Sequence, residues 1–402
     1  MSEPDVSDLL TVAQAIAIID AAEVSPRAIE VPLHDADGLV LAQDVRADRD
    51  YPPFDRSLMD GYAVRTADTA HVPVDLEVVG EIPAGASSAR GFAIGQTIAI
   101  MTGALLPDGA DGVVPVEHVE RFSSKIRVRT ASAPGRFIAR RGSDVRAGQL
   151  VLTQGTRLGP AQLAALATVG AAKVNVFARP HAAVLSTGNE IVPFDQSPTG
   201  SQIRNSNSLM LGSLLKRLGC DVTDLGTVRD EPNAVRDALK SALTFDLLFI
   251  TGGMSMGEYD FVPRTLAELG ADLRITKLRI KPGKPFVFAA IGTHYAFGLP
   301  GNPVSAFVCT VRLASRLVAR MSGEPAPTEK WIHASLSEPL PANGPREFYQ
   351  PVFCRDGLAV PLKWKGSADV FTLAAANGLL ARAENEPPLP AGAAVRVFVW
   401  EV

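Results

Sequence analysis

The chain has few of the residues that build disulfide frameworks, zinc sites or polyanion-binding surfaces. Its 402 residues include six histidines and three cysteines, and Cys220, Cys309 and Cys354 are too widely spaced for a disulfide framework or a zinc knuckle. The formal net charge of −4 excludes a global basic field of the kind that attracts nucleic acid. No apolar run approaches the roughly 20 residues that span a bilayer, and the acidic N-terminus lacks the features of a secretory signal. We therefore expect a cytoplasmic protein that binds neither nucleic acid nor membranes.

Common nucleotide-binding motifs are missing as well. No loop matches G-x-G-x-x-G followed by an acid, and none has the G-K-[ST] ending of a P-loop, which disfavours ordinary NAD and NTP folds. The scarcity of histidine gives Ser-His-Asp hydrolase chemistry little support. Any anion site must therefore be local and built from other loops.

The length and the pattern of apolar residues predict a multidomain α/β and β protein. An amphipathic helix of about 15 residues is expected behind Ser7, and short β-like runs later alternate with Pro/Gly turns. From Arg179 the pattern changes to alternating strands and helices, typical of a doubly wound α/β domain that ends in a long helix from Pro303 to about Arg320. The predicted domains are an N-terminal discontinuous helical and β linker domain (1–50 plus 138–178), an inserted mostly β domain (51–137), the α/β domain (179–323) and a small C-terminal β domain (328–402).

Carboxylates follow three predicted strands of the α/β domain. The glycine-rich loop Thr251–Asp260 ends in paired acids, Ser186–Glu190 follows the first strand, and Asp230 ends another strand. Because ligands of an open α/β sheet bind at the carboxyl ends of its strands, these groups are expected to converge. Two alternatives stay open: Ser186–Glu190 is merely a turn with a solvated acid, and Asp230 is a helix N-cap.

Clustered carboxylates require a cation, since unpaired like charges raise one another's pKa. Mg²⁺ suits hard oxygen ligands and commonly bridges carboxylates to phosphate oxygens. Zinc is disfavoured by the missing His and Cys ligands. The loop therefore suggests a magnesium-bound phosphate ester as its ligand.

Two Pro-Gly turns add candidate anion-binding groups. Lys281-Pro-Gly-Lys284 predicts a type II turn with both lysines at its feet, and Lys277 shares their face if the preceding strand is regular. In the second turn, Asn302 is the candidate N-cap and Pro303 the first helical residue, so exposed N–H groups at the helix start form a candidate oxyanion site. A solvated basic strand end and a purely structural turn are the respective alternatives.

Taken together, these strings resemble the molybdopterin molybdenumtransferase family, MoeA and the gephyrin E domain. The resemblance extends over nearly the whole chain and rests on P-P-F-D-x-S-x-M-D-G-Y-A-V at 52–64, I-M-T-G-A at 100–104, S-T-G-x-E at 186–190, T-G-G-x-S-x-G-x-x-D at 251–260, K-P-G-K-P at 281–285, G-L-P-G-N-P-V at 298–304 and A-N-G at 376–378.

The resemblance implies four domains per subunit, a molybdopterin-binding α/β domain, and an elongated homodimer in which the partner's inserted domain completes the active site. It implies insertion of molybdate into adenylylated molybdopterin with Mg²⁺, which releases AMP and yields molybdenum cofactor. Interaction with molybdopterin adenylyltransferase and other proteins of the cofactor pathway is a further expectation.

Residue roles follow from the same resemblance. The implied metal ligands are Glu190, Asp230 and Asp260. The implied catalytic residues are Asp60, Thr102, Asp144 and Asp260, of which Asp60 and Thr102 match partner-subunit contacts. The implied substrate-binding residues are Ser186, Thr187, Gly252, Gly253, Ser255, Lys277, Lys281, Lys284, Pro300, Pro303, Arg346 and Ser367.

Three positions depart from the family pattern. Met254 and Met256 replace smaller branched residues, which keeps an apolar support for the loop. Asn189 stands where the family commonly has Asp, which removes one negative charge near Glu190 and predicts weaker metal affinity.

Other functions remain open at this point. Molybdopterin adenylyltransferase resembles only the α/β domain, so the long flanking domains argue against it. A non-catalytic scaffold, as in the gephyrin branch, is the alternative from a different class, although nothing here resembles a dedicated partner-binding tail. Tungstate is an alternative to molybdate, since the two oxyanions have nearly the same size and charge.

Overall fold

The computed structural model describes residues 9–86, 91–254, 261–325 and 329–400. The chain divides into two compact units. The first unit comprises the chain up to Glu30, Gly38–Ala42 and the chain from Asn175 onward, and the second comprises Val31–Asp37 and Gln43–Val174. No helix within the described ranges combines the length and the apolar run that a membrane span needs.

The first part of the chain has two α-helices and many short strands. These elements are α1 Val12–Asp20, β1 Ala28–Pro32, β2 Val40–Leu41, β3 Val45–Arg46, β4 Arg56–Ser57, β5 Gly61–Val64, β6 Val74–Ile82, β7 Gln96–Ile100, β8 Gly112–Pro115, β9 Val119–Phe122, β10 Lys125–Val128, β11 Ile138–Ala139, β12 Leu150–Leu152, α2 Pro160–Thr168 and β13 Lys173–Phe177, with 3-10 turns at Leu33–Asp35, Thr66–Thr69 and Val116–His118.

Helix α1 is shorter than the sequence predicts. It begins after Thr11, whose side chain accepts a hydrogen bond from the Gln14 N–H while the Gln14 side chain accepts from the Thr11 N–H. This capping box satisfies backbone donors and fixes the helix start at Val12. The helix therefore runs from Val12 to Asp20 and has nine residues. The predicted cap, Ser7, lies outside the described residues.

The main sheet of the second unit has the strand order β8-β5-β7-β6-β10-β9, and all six strands lie within residues 51–137, where a mostly β insertion is predicted. Strand β5 runs antiparallel to β8, with Gly61 opposite Pro115. A Cβ on Gly61 would lie 2.9 Å from the carbonyl carbon of Val114 and nearer still to its oxygen. Gly61 therefore permits the close pairing that fixes the preceding residue, Asp60, at the start of β5.

The rest of the chain alternates strands and helices and then becomes mostly β. Its elements are β14 His181–Thr187, β15 Ile191–Val192, β16 Ile203–Arg204, α3 Ser206–Arg217, β17 Asp221–Val228, α4 Pro232–Ala242, β18 Leu247–Thr251, α5 Phe261–Glu268, β19 Asp272–Ile275, β20 Ile280–Lys281, β21 Val287–Ile291, β22 His294–Leu299, α6 Pro303–Cys309, a π-helical turn Thr310–Ala314, α7 Ser315–Met321, β23 Trp331–Leu336, β24 Glu347–Arg355, β25 Leu358–Pro361, α8 Val370–Ala375, β26 Gly378–Arg382 and β27 Ala394–Val399.

A mostly parallel sheet forms the centre of the first unit. Its strand order is β17-β14-β18-β22-β21-β19, and β17, β14, β18 and β22 are parallel. Every residue of β18 is buried, because apolar clusters cover the sheet on both faces. One cluster includes side chains of α1, α3, α6 and α7, and the other includes side chains of α4 and α5. The predicted doubly wound α/β domain is therefore confirmed, and the carboxyl ends of four parallel strands lie at one edge.

The predicted single helix from Pro303 to Arg320 is interrupted. Helices α6 and α7 are joined by the π-helical turn, whose residues are all buried. In this turn the Arg312 guanidinium donates hydrogen bonds to Tyr349 Oη at 2.7 Å and to Glu329 Oε1 at 2.8 Å. A π-turn commonly marks a functional or constrained position in a helix, and here it carries a buried cation that contacts the C-terminal strands.

The C-terminal strands form a small closed barrel, which confirms the predicted C-terminal β domain. The order is β20-β24-β25-β23-β27-β26, and the barrel closes because β26 also pairs with β24. Its core includes Val352, Ala359, Leu380 and Val397. Strand β20 belongs to this sheet through the parallel pairs Ile280↔Glu347 and Lys281↔Phe348.

Candidate active site

A pair of glycines follows β18 at the carboxyl edge of the parallel sheet. Gly252 and Gly253 have φ values of +89° and +62°, a region that side chains other than glycine rarely adopt. A Cβ on Gly252 would lie 2.9 Å from Thr187 Oγ1 and nearer still to Thr187 O. The loop backbone therefore packs directly against the end of β14. The later loop residues Ser255, Met256, Glu258 and Asp260, which include two predicted site residues, lie outside the described residues.

The departure at Met254 keeps the packing that the sequence predicts for it. Met254 is buried in the apolar cluster on the α4 and α5 side of the sheet. A Cβ on Gly298 would lie 2.9 Å from Met254 Cε. The methionine therefore fills the space over a glycine of β22 and supports the loop from below.

A buried polar network lies directly behind this loop. Ser186 Oγ accepts a hydrogen bond from Asn205 Nδ2 at 3.0 Å and lies 3.1 Å from both Ser208 Oγ and Thr251 Oγ1. The Asn205 side chain also caps α3 by accepting from the Ser208 N–H. Ser186 is thus saturated by protein partners, and the network fixes the start of α3 against the ends of β14 and β18.

Sequence reasoning missed the contribution of α3. Asn205 and Ser208 belong to the polar network, and Asn207 Nδ2 donates to Gly301 O at 2.7 Å. The string Asn205-Ser-Asn-Ser208 was the available signal, because amides and hydroxyls at the start of a helix in a doubly wound domain face the same edge as the strand ends.

Two predicted acids lie on adjacent loops of this edge. The Gly188 N–H donates to Val228 O at 3.2 Å, and the Asp230 N–H donates to Asn189 Oδ1 at 3.3 Å. Glu190 is exposed and its carboxylate folds back toward Gly188, whose Cβ would lie 2.8 Å from Glu190 Oε2. The amide that replaces the family's Asp thus joins the two acid-bearing loops.

Asp230 is not the helix cap that the alternative interpretation assumed. Helix α4 has Pro232 as its first residue and Glu231 as its N-cap. Proline favours the first helical position, so the cap falls one residue after Asp230. Within the described residues, no group of three His, Cys, Asp or Glu side chains is close enough to hold a metal. The two described acids therefore form at most part of a metal site.

The lysine turn lies between α6 and the barrel. Its ends meet where the Leu278 N–H donates to Lys284 O at 3.0 Å. A Cβ on Gly283 would lie 2.5 Å from Cys309 Sγ of α6. On the barrel side, Lys281 Nζ lies 4.6 Å from the centre of the Phe348 ring, a cation–π contact.

The structure adds two details to the predictions about this turn. The Lys281–Pro282 peptide bond is cis. Lys277 lies in an irregular segment between β19 and β20 and not on a regular strand with Lys281. The two residues are separated by Leu278, which bridges to Leu10.

The second Pro-Gly turn starts α6 as predicted, with Asn302 as N-cap and Pro303 as the first helical residue. The expected exposed N–H groups are partly occupied, however. The Val304 N–H donates to Ser367 O at 3.0 Å, and Asn302 Nδ2 donates to Ser367 Oγ at 2.8 Å. The barrel segment that contains Ser367 therefore satisfies part of the helix start, and any anion site here relies on the lysines and on the exposed Gly301 and Asn302.

Ser367 reaches the start of α6 from the barrel domain, and Arg346 lies beside the strand pairing at the lysine turn. Arg346 is half-buried and directly precedes Glu347, which pairs with Ile280. The structure thus brings together, in the first unit, the Gly252 loop, the Pro300–Pro303 turn and Ser367. It also places Arg346 directly before β24, the strand that pairs with β20 and therefore with Lys281.

The remaining predicted residues lie in the second unit. Asp60 Oδ1 accepts hydrogen bonds from the Thr102 N–H and from the Thr102 hydroxyl, each at 2.7 Å. These donors, the backbone N–H first and the hydroxyl second, hold the pKa of Asp60 below its usual range. Asp144 is exposed, accepts from the Ser143 hydroxyl at 2.9 Å, and lies 3.8 Å from the Arg56 guanidinium.

Family models match most of the chain. The model of the MoeA N-terminal region (domain I and II) matches residues 10–170. The model of a probable molybdopterin binding domain matches residues 183–320, and that of the MoeA C-terminal region (domain IV) matches residues 333–400.

Whole-chain relatives agree with these models. The molybdopterin molybdenumtransferase of Nostoc sp. is 35% identical over 382 residues, which is 92% of this chain and 88% of the relative. The protein of the same name from Synechococcus elongatus is 40% identical over 314 residues, which is 75% of this chain and 77% of the relative. The crystal structure of the molybdopterin biosynthesis moeA protein from Pyrococcus horikoshii OT3 matches with a TM-score of 0.86 at 30% identity, over 98% of this chain and 100% of that one. The chain therefore belongs to the molybdopterin molybdenumtransferase family, MoeA.

Proposed function

We propose that this protein inserts molybdenum in molybdenum cofactor biosynthesis, by transferring molybdate to adenylylated molybdopterin with Mg²⁺ and releasing AMP. The observation that carries the proposal is the similarity to molybdopterin molybdenumtransferases over most of the chain. The coarse function, molybdenum insertion, follows from that similarity. The adenylylated substrate, Mg²⁺ and AMP release are the finer part of the proposal, and the chemistry of the sheet edge supports them.

The acid loops fit the adenylate and metal end of the site. Mg²⁺ is commonly held by one or two carboxylates together with substrate phosphate oxygens, and Glu190 and Asp230 lie on loops joined through Asn189. These two acids, with Asp260, would hold the ion. When bound, Mg²⁺ neutralises phosphate charge and polarises the phosphoanhydride.

The cations fit the oxyanion end. Lys277, Lys281 and Lys284 supply positive charge in and before a turn that packs against α6, and Ser367 is held at the start of the same helix by Asn302 and Val304. A tetrahedral oxyanion would be bound by these cations, with Arg346 contributing from the position directly before β24. We propose that one oxygen of the bound molybdate attacks the adenylate phosphorus, so that a Mo–O–P bond forms, the phosphoanhydride bond breaks and molybdopterin leaves with its own phosphate. AMP is released when the Mo–O bond of this adenylyl-molybdate breaks as the sulfur atoms of molybdopterin take up the molybdenum.

Asp60, Thr102 and Asp144 belong to the second unit, and we propose that the first two act across a homodimer, in the active site of the partner subunit. The Thr102 hydrogen bonds lower the pKa of Asp60 and favour its ionised form. An ionised carboxylate can orient a hydrated cation or accept a substrate hydrogen bond. A cytoplasmic location and contact with molybdopterin adenylyltransferase, which would supply the adenylylated substrate, complete the proposal.

Molybdate-dependent AMP release from adenylylated molybdopterin by the purified protein tests the function. We expect release that requires Mg²⁺ and is lost in Asp60→Ala and in Asp260→Ala, while Glu338→Ala, which changes an exposed acid of the barrel domain, keeps wild-type turnover. Unchanged turnover in both site variants would contradict the assignment. ATP-dependent adenylylation without molybdate-dependent AMP release would favour an adenylyltransferase, and faster turnover with tungstate would change the physiological oxyanion. A stable homodimer in light scattering tests the assembly separately.

A further inference from the structure

Asn207 has a buried acceptor that no group among the described residues satisfies. The residue is 9% exposed and is the second residue of α3. Its Nδ2 donates to Gly301 O, whereas its Oδ1 is buried and has no hydrogen-bond partner among the described residues. A reversed amide would place Oδ1 against the Gly301 carbonyl, so the donor to Gly301 fixes the orientation of the side chain.

Thr187 has a second buried oxygen of this kind, and it is connected to Asn207 through Gly252 and Gly301. Thr187 is 4% exposed, and its Oγ1 is likewise buried without a partner in the described part of the chain. Gly252 contacts Thr187, and a Cβ on Gly301 would lie 3.9 Å from Gly252 Cα. Thr187, Gly252, Gly301 and Asn207 thus follow one another at the carboxyl edge of the sheet, with an unsatisfied oxygen at each end.

A buried acceptor without a donor costs free energy, and such groups are rare in folded proteins. The cost disappears when a ligand supplies the donor. The amide oxygen can only accept, so its partner must carry an N–H or O–H group. Molybdate and ionised phosphate present only acceptor oxygens, whereas a pterin ring has N–H groups and a nucleoside has an exocyclic amine and ribose hydroxyls.

We propose that Asn207 is a substrate-positioning residue, whose Oδ1 accepts a hydrogen bond from an N–H or O–H group of the pterin or nucleoside part of the substrate. This rests on the proposed function. Through its Nδ2, the same side chain holds the Gly301 turn. Asn207 thereby fixes the position of the organic part of the substrate relative to the Gly301 turn.

Equilibrium binding measurements on two variants distinguish the role of Asn207 Oδ1 from that of Asn207 Nδ2. Asn207→Ala removes both ends, whereas Asn207→Asp keeps an acceptor oxygen and removes the N–H that holds Gly301. The probes are AMP, molybdopterin and molybdate, each titrated at pH 8. Ser213→Ala, which changes an exposed residue of the same helix, is the control.

The expected result is a loss of about tenfold in affinity for AMP or for molybdopterin in Asn207→Ala, which Asn207→Asp largely restores. The probe that responds identifies the nucleoside or the pterin as the donor. Molybdate should lose affinity in both variants, because both release the Gly301 turn. A merely structural role predicts instead that Asn207→Asp binds every probe as weakly as Asn207→Ala.

Three outcomes overturn the proposal. The first is no rescue by Asn207→Asp, and the second is wild-type affinity for AMP and molybdopterin in Asn207→Ala. The third is a wild-type protein that binds none of the three probes, which contradicts the proposed function as well. If Asn207→Asp does not fold, Asn207→Ala decides alone: a larger loss for AMP or molybdopterin than for molybdate supports the proposal, and equal losses contradict it.

Discussion

The Asp60 carboxylate and Thr102 form a two-donor clamp: one oxygen of Asp60 accepts both the backbone N–H and the hydroxyl of Thr102 at 2.7 Å. The two residues come from different motifs of the sequence, at 52–64 and at 100–104. The two hydrogen bonds fix the orientation of the Asp60 carboxylate although the residue is exposed. The clamp leads to the first prediction.

Thr102→Val should raise the pKa of Asp60 toward its usual value, because the hydroxyl bond is lost while the backbone bond remains. A carboxyl whose folded pKa is depressed stabilises the folded state above its unfolded pKa of about 3.9, and loses that contribution as the pH falls through the folded pKa. As the pH falls, Thr102→Val should therefore lose the stabilising contribution of Asp60 at a higher pH than the wild type does. NMR titration of the Asp60 carboxyl checks the shift, with the exposed Thr168→Val as the control. An identical titration in wild type and Thr102→Val would count against the clamp.

Thr187→Val and Thr251→Val should have different effects on the free energy of unfolding. Thr187 Oγ1 is buried and has no partner in the part of the chain that the structure describes, so its removal should leave the free energy of unfolding unchanged or raise it by up to about 1 kcal/mol. Thr251 Oγ1 lies 3.1 Å from Ser186 Oγ, so its removal should lower that free energy by about 1 kcal/mol. Urea denaturation of both variants measures the difference. A loss of stability in Thr187→Val equal to that in Thr251→Val would show that the hydroxyl is structurally satisfied.

Gly252→Ala should destabilise the fold more than Gly270→Ala. Both glycines have nearly the same positive φ, +89° and +87°, so both substitutions carry a backbone penalty of about 1–2 kcal/mol. A Cβ at Gly270 meets nothing within 4 Å, whereas one at Gly252 overlaps Thr187. The difference in unfolding free energy between the two variants measures the cost of the overlap between the new Cβ at position 252 and Thr187. Equal losses would mean that the loop backbone can move away from β14.

Lys281→Ala should weaken molybdate binding by about tenfold, because an anion loses a charged hydrogen-bond donor. Phe348→Leu should weaken it by only about two- to fivefold, since the ring orients the lysine through a cation–π contact of about 0.5–1 kcal/mol. Calorimetric titration with molybdate gives both values. Lys363→Ala, an exposed lysine of the barrel domain, should bind like wild type. A Lys281→Ala protein with wild-type affinity would remove this lysine from the oxyanion site.

Arg312→Met should lower the free energy of unfolding by about 1–3 kcal/mol, because Tyr349 Oη and Glu329 each lose a buried donor while Arg316 still pairs with Glu329. Arg312 is 5% exposed, bonds Glu329 and Tyr349, and lies 4.9 Å from the Trp331 ring centre. Arg396 lies 4.4 Å from the same ring but is exposed, so Arg396→Met should cost less than about 1 kcal/mol. Thermal denaturation compares them, and equal losses would contradict the burial argument.

The alternation of apolar strands with capped helices was sufficient to predict the parallel sheet and the start of α6, because Asn302 and Pro303 are local signals. Other features depend on contacts that are remote in sequence. The occupation of the Val304 N–H by Ser367 cannot be read from the turn itself. The unpaired oxygen of Asn207 likewise results from the place where Gly301 lies in the fold. The roles of the individual site residues and the four-domain division stay predictions.

The short strand β20 has a mechanical consequence. It is hydrogen bonded to β24 of the barrel, and the turn that follows it packs against Cys309 of α6. The segment that contains Lys281 is therefore held on one side by the barrel and on the other by α6 of the α/β domain. Any rotation of the barrel relative to the sheet must either move this lysine or break the Ile280–Glu347 pairing, so the position of this positive charge is coupled to the position of the C-terminal barrel.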